Sequence, residues 1–149
     1  MLGAVSGNRY FSGVMICAAV GAVVSAWALR LHYHRDASSF CSFNATFDCD
    51  VVNRSGYATV AGIPVALVGL LGYMGMLLLA RFQNRKEETP ALLLLLSSAG
   101  TAFSLYLTYV EGAVLRAWCI LCLASLLSIS LIAALSAFQV RADLRGARP

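Results

Sequence analysis

Four long runs in this chain contain no Lys, Arg, Asp or Glu: residues 10–29, 60–80, 91–110 and 117–140. Each is about twenty residues or more, long enough for a helix to cross roughly 30 Å of hydrocarbon. Charged residues make up 12% of the chain, against about 25% in a soluble domain. No long polar segment is left over to fold in water. The expectation is a single domain, 1–149, that is an all-α integral membrane protein. It would be a four-transmembrane-helix bundle, with helices at about 10–31, 60–80, 90–110 and 117–140 and an outward-facing loop after helix one. The first run follows Arg9 and has small residues near Ala26 and Ala28, as a secretory signal would. Its apolar stretch is longer than a signal's hydrophobic region, so a retained helix is expected.

Basic residues set the orientation of such a bundle. Arg9, Arg81, Arg85, Lys86, Arg141, Arg145 and Arg148 fall on one side, and Arg30, Arg35, Arg54 and Arg116 on the other. Seven against four puts both termini in the cytoplasm of a plasma (inner) membrane. The loop at about 32–59 and the short connection near Glu111 then face outward. The net charge of +4 is spread over the inner connections and the tail, which gives no reason to expect a nucleic-acid partner.

The five cysteines carry the chemistry. Cys41 and Cys49 flank a polar stretch of the outer loop. Cys119 and Cys122 form Cys-Ile-Leu-Cys at the start of the fourth run. Residues three apart share a helix face, so the second pair can close a disulfide. Its first sulfur would sit near a helix start, where unsatisfied N–H groups and the positive dipole end favour the reactive thiolate. A loop of the length between Cys41 and Cys49 can bring those two sulfurs together at modest entropic cost. The pair is then either a shuttle that hands electrons to helix four or a static staple. Two co-facial pairs, one in water and one at the lipid boundary, suit an electron relay in an oxidising compartment. Zinc is disfavoured, because the first pair is too widely spaced for a metal knuckle. Cys17, in mid-helix, is expected to be a small buried hydrophobe.

Other residues have plainer roles. Pro64 suits the first turn of helix two. Gly69, Gly72 and Gly75 are expected first to let a neighbouring helix approach, and only second to shape a pocket. Trp27, Tyr33, Tyr57 and Trp118 fit an aromatic belt. Trp118 also adjoins Cys119 and is a candidate wall of a quinone pocket. His32 and His34 are expected at the membrane interface, and Glu111 and Arg116 as solvated loop charges. No charged residue stands at mid-membrane, which argues against a transporter.

The run Cys49-Asp50-Val51-Val52-Asn53-Arg54-Ser55, then Gly62-Ile63-Pro64-Val65, then Cys119-Ile120-Leu121-Cys122 resembles the vitamin K epoxide reductase family. It is most similar to the bacterial, quinone-linked members. The resemblance spans nearly the whole chain, with the motifs in family order. It implies a four-helix bundle around a quinone, either ubiquinone or menaquinone. It implies that Cys41 exchanges with a thioredoxin-like or DsbA-like thiol protein and that Cys49 passes electrons to Cys119. Cys122 would face the quinone, and Ser55 would assist by hydrogen bonding unless it only shapes a turn. Epoxide-reducing members carry a tyrosine four residues after the second cysteine of Cys-x-x-Cys, where this chain has Leu126. That favours plain quinone reduction over vitamin K epoxide reduction. Many bacterial relatives carry a fused thioredoxin-like domain; none follows here, so a separate partner is expected. The alternatives are a vitamin K epoxide or quinone reductase proper, or a non-enzymatic membrane protein whose loop disulfide is structural.

Overall fold

The computed structural model describes residues 2–34, 44, 46–82 and 88–146, without the side chains of 2–8. Helix α1 spans Leu2–Tyr33 and is followed by a one-turn helix, α2, at Cys49–Asn53. A 3₁₀ turn at Gly56–Ala58 leads into a hairpin of β1, Thr59–Val60, and β2, Ile63–Pro64. The remaining helices are α3, Val65–Phe82, α4, Thr89–Val110, and α5, Ile120–Gly146. Helices α1, α3, α4 and α5 are long and apolar enough to span a bilayer. The molecule is an all-α four-helix membrane bundle.

The outside of the bundle is as apolar as its inside. Val23, Leu71, Leu95 and Leu127 are all more than 60% exposed on different helices. Apolar surface on this scale suits lipid rather than water. In lipid, helices associate through close packing and buried hydrogen bonds rather than apolar burial, and the interior has both. Tyr10, Val14, Ala18 and Ala22 of α1 meet Tyr73, Met76 and Ala80 of α3, with Leu93, Ile129 and Ile132 closing the core. Tyr10 Oη lies 3.1 Å from Ser136 Oγ. Tyr73 Oη donates to the Ser125 carbonyl at 2.7 Å and lies 2.9 Å from Ser125 Oγ. The Tyr73 ring lies where a Cβ on Gly21 would be, so glycine there lets α1 and α3 close.

Helix α1 packs against both α3 and α5, and α5 packs against α4, while α3 and α4 touch little. The end holding Tyr10 and Ser136 is closed by a buried core that includes Tyr10, Ala80, Leu93 and Ile132. The bundle opens between α3 and α4 at the other end, called here the loop end, which carries α2 and the hairpin.

Two boundaries differ from expectation. The second helix, expected at about 60–80, begins at Val65. Residues 59–64 form the hairpin, with Thr59 opposite Pro64 and Val60 opposite Ile63. Its two-residue turn has Ala61 at φ 52° and Gly62 at φ 81°, the positive-φ pair that matches strand twist in tight hairpins. The fourth helix, expected from about 117, begins at Ile120. Trp118 is held in a backbone bridge to Phe47 instead.

Candidate functional site

The site is built where the loop end meets the start of α5. Asn44 Oδ1 accepts the N–H groups of Thr46 at 2.9 Å and Phe47 at 3.0 Å, an Asx turn that bends the chain. The Trp118 N–H donates to the Thr46 carbonyl at 2.8 Å, and the Asp48 N–H donates to the Trp118 carbonyl at 3.2 Å. This parallel bridge sits two residues before Cys49 in one segment and immediately before Cys119 in the other. It sets the register of the two cysteines.

Each cysteine then starts or caps a helix. Asp48 caps α2, its Oδ1 accepting from Asp50 N–H at 2.9 Å and Val51 N–H at 3.3 Å. Cys49 is therefore the first residue of an anchored turn. The Cys119 carbonyl accepts the Leu123 N–H at 3.0 Å, which puts Cys119 at the cap of α5. Cys119 Sγ lies 3.3 Å from Cys49 Sγ, and both residues are at most 1% exposed. Cys49 is disulfide-bonded, whereas Cys119 and Cys122 carry free thiols. Cys41 lies outside the described residues.

The Cys119 thiol is held below its ordinary value, chiefly by the hydrogen bond from the Cys122 side chain. Burial opposes this, as does the negative charge of Glu111. The backbone N–H groups of Cys122 and Leu121 reinforce it. Those N–H groups are the orphan donors of a helix start, so the sulfur acts as a capping acceptor and becomes a better nucleophile.

Asn53 is buried and contributes two bonds. Its Nδ2 donates to the Cys49 carbonyl at 2.9 Å and toward Cys119 Sγ at 3.8 Å. Its own carbonyl lies 2.7 Å from His32 Nδ1. A carbonyl only accepts, so Nδ1 carries the proton and ties α1 to α2.

Glu111 was expected in the loop as a solvated charge, and the structure corrects this. It is 2% exposed. Helix α4 does not stop at its last apolar residue but continues as a wide π turn over Glu111–Leu115, a geometry often found at functional sites. Arg116, in the left-handed region at φ 51°, ends it. The turn aims the carboxyl inward, where Oε2 accepts the Cys119 N–H at 3.0 Å. Oε1 is buried with no hydrogen-bond partner among the described residues. The Cys122 side chain lies close enough to interact with the carboxyl. The sequence signal was a single acid, eight residues before Cys119, at the end of an uncharged run.

A cavity of about 440 Å³ opens beside these groups, between α3 and α4. That is within the size of small-molecule sites. Cys122, Glu111, Asn53, Ser55 and His32 line its loop end, and Leu71, Leu96, Phe103 and Ile129 are among the apolar walls. Gly69, Gly72 and Gly75 also line it. A Cβ on Gly69 would meet Ser25 of α1 at 3.1 Å, but a Cβ on Gly72 or Gly75 would meet open space. Pocket-shaping, the lesser expectation, describes the latter two better than helix contact. The Ser55 hydroxyl donates to the Val52 carbonyl at 2.8 Å, so Ser55 shapes a turn and lines the cavity at once. Trp118 does not line it; the end of its indole is 3.1 Å from where a Cβ on Gly112 would stand.

The arrangement can exchange disulfides between Cys49 and Cys119, and it presents Cys122 to an apolar space reached from membrane depth. The mostly apolar walls suit a lipid-soluble ligand. A family model described as the vitamin K epoxide reductase family matches residues 13–137.

Proposed function

The chain belongs to the vitamin K epoxide reductase family, and on that premise we propose that it relays electrons from a thiol protein to a quinone. Membership carries oxidoreductase activity and a multi-pass membrane setting; the relay below is our reading. The observation that carries it is the 3.3 Å separation of Cys49 Sγ and Cys119 Sγ, with Cys122 lining the cavity.

The electron donor is a thioredoxin-like or DsbA-like thiol protein. Its thiolate attacks a Cys41–Cys49 disulfide at Cys41, and the Cys49 thiolate leaves. The second partner thiol releases Cys41 and closes the partner's own disulfide. Cys49 then attacks Cys119 of a Cys119–Cys122 disulfide, freeing Cys122, and Cys41 resolves the Cys49–Cys119 bond. Cys119 and Cys122 are left as thiols beside an oxidised Cys49. That is the redox arrangement described here. Bound ubiquinone or menaquinone accepts two electrons and two protons. Cys122 faces it, the oxygens of Ser55 and Asn53 at its rim accept from the quinol hydroxyl, and the walls of α3 and α4 keep water away. Trp118 contributes through its backbone bridge. The loop end, where the partner's thiols are oxidised for disulfide formation in other proteins, faces outward from the plasma membrane, and both termini lie in the cytoplasm.

The purified protein should form quinol from quinone when given a reduced thioredoxin-like protein. Cys119→Ala and Cys122→Ala should each reduce that rate to background, because both sulfurs are bonded in the cycle. A wild-type rate in either variant rules out the relay. Running the same assay with an epoxide separates quinone reduction from epoxide reduction.

A further inference from the structure

Glu111 is the buried acid that the relay does not use. A carboxylate in apolar surroundings is costly unless its oxygens are paired. Here Oε2 is paired with the Cys119 N–H at 3.0 Å, and Oε1 is buried without a partner among the described residues. If Glu111 served only to satisfy Cys119, the unpaired oxygen would be a pure loss. A glutamine would place its carbonyl on the same N–H and remove the charge. Glu111 also lines the cavity together with Cys122, so acid and thiol border the same space, where the electron acceptor would bind. The titratable groups acting on it are Cys119 and Cys122 at the start of α5. His32 of α1 and Tyr73 of α3 line the same cavity.

We propose that Glu111 is the proton-transfer group of this site, its carboxylate taking the Cys122 thiol proton and delivering it to a quinone oxygen. This rests on the quinone-linked relay above. Closing the Cys119–Cys122 S–S bond breaks the Cys122 S–H bond, while Cys119 enters as the thiolate its surroundings favour. Two electrons leave the sulfur pair and enter the quinone. One quinol proton comes from Cys122 by way of Glu111. The other comes from water at the loop end and replaces the one Cys119 gave up. The carboxyl begins and ends the turnover as a carboxylate, and no further reactant is needed.

Infrared difference spectra of the quinone-free protein read the carboxyl itself. When the dithiol is oxidised chemically, the Cys122 proton has no quinone to reach and stays on Glu111. A C=O band of a protonated carboxyl should therefore rise, shift with carbon-13 glutamate and be missing in Glu111→Gln. Its absence from the wild-type protein overturns the proposal, whether or not the variant folds. In quinol formation, Glu111→Gln should lower kcat about 100-fold, the scale of general acid–base catalysis. KM for quinone should stay within about twofold, since binding is not what is lost. Glu111→Asp should recover part of kcat. A glutamine variant with wild-type kcat overturns the proposal and leaves the relay standing. A wild-type protein that reduces no quinone removes the relay, and the proposal with it.

Discussion

Cys119 owes its reactivity to donors that stand around one sulfur. The Cys122 side chain, the first N–H groups of α5 and Asn53 Nδ2 all point at it. With its pKa below the ordinary thiol value, Cys119 stays a thiolate in the window between the two. It loses that form only as pH falls through the lowered value. Removing a donor moves the lowered value back up and narrows the window. Asn53→Ala should therefore slow the reverse exchange, the attack of the Cys119 thiolate on Cys49 of a Cys41–Cys49 disulfide, several-fold at neutral pH and shift the midpoint of its pH profile upward. The rate can be followed as a trapped Cys49–Cys119 disulfide in a Cys122→Ser background, where the serine hydroxyl still donates. An unchanged midpoint would show that the 3.8 Å contact contributes nothing. At this scale the cysteines were legible in the sequence because sulfur spacing is a chemical signal. Asn53 and Glu111 were not. An asparagine in a polar loop looks like any turn residue, and an acid at the end of an apolar run looks like the edge of a span. Only the π turn, which carries the helix past Glu111, shows that the edge lies further on.

The elements around the site are small, and their ends matter more than their lengths. Helix α2 has five residues, too few to persist by its own hydrogen bonds. It is held by the Asp48 cap, the Phe47–Trp118 bridge and the His32 bond to Asn53. The half-exposed Asp50–Arg54 pair at 2.9 Å adds only tenths of a kcal/mol, as i,i+4 helix pairs do. Asp48→Ala should cost about 1 kcal/mol, the usual worth of an N-cap. It should slow the trapped Cys49–Cys119 exchange, while Asp48→Asn, which keeps a capping oxygen, should not. Equal rates in the alanine variant would mean that the bridge alone positions Cys49. Hydropathy revealed the four spanning helices, because lipid demands long uncharged runs. It concealed the hairpin inside the second run, because Val60, Ile63 and Pro64 are as apolar as the helix that follows. The Ala61-Gly62 turn was the available clue, and it depends on backbone angles that composition does not report. The same blindness placed the start of α5 three residues early.

The whole bundle is asymmetric, closed at one end and open between α3 and α4 at the other, and the quinone reading depends on that opening. Glycine spacing along α3 could not reveal it, because small residues permit either a close neighbour or a void, and only the arrangement of all four helices decides which. Gly72 offers a way to separate the two uses of the helix. A side chain there meets no atom within 4 Å of its Cβ, so it costs no packing. In a helix interior, leucine is also favoured over glycine by about 1 kcal/mol. Gly72→Leu should therefore leave the protein at least as resistant to thermal unfolding in detergent as the wild type. The added side chain would project into the cavity and take up part of its about 440 Å³, on the wall opposite α4. KM for quinone should rise by about tenfold or more, the cost of losing on the order of 1.4 kcal/mol of binding. The Cys49–Cys119 exchange, which takes place above the cavity and between other elements, should keep its rate. A variant with all three properties would locate quinone binding between α3 and α4 and show it to be separable from the thiol relay. If KM were unchanged while folding and exchange remained normal, the quinone would have to meet Cys122 from another side.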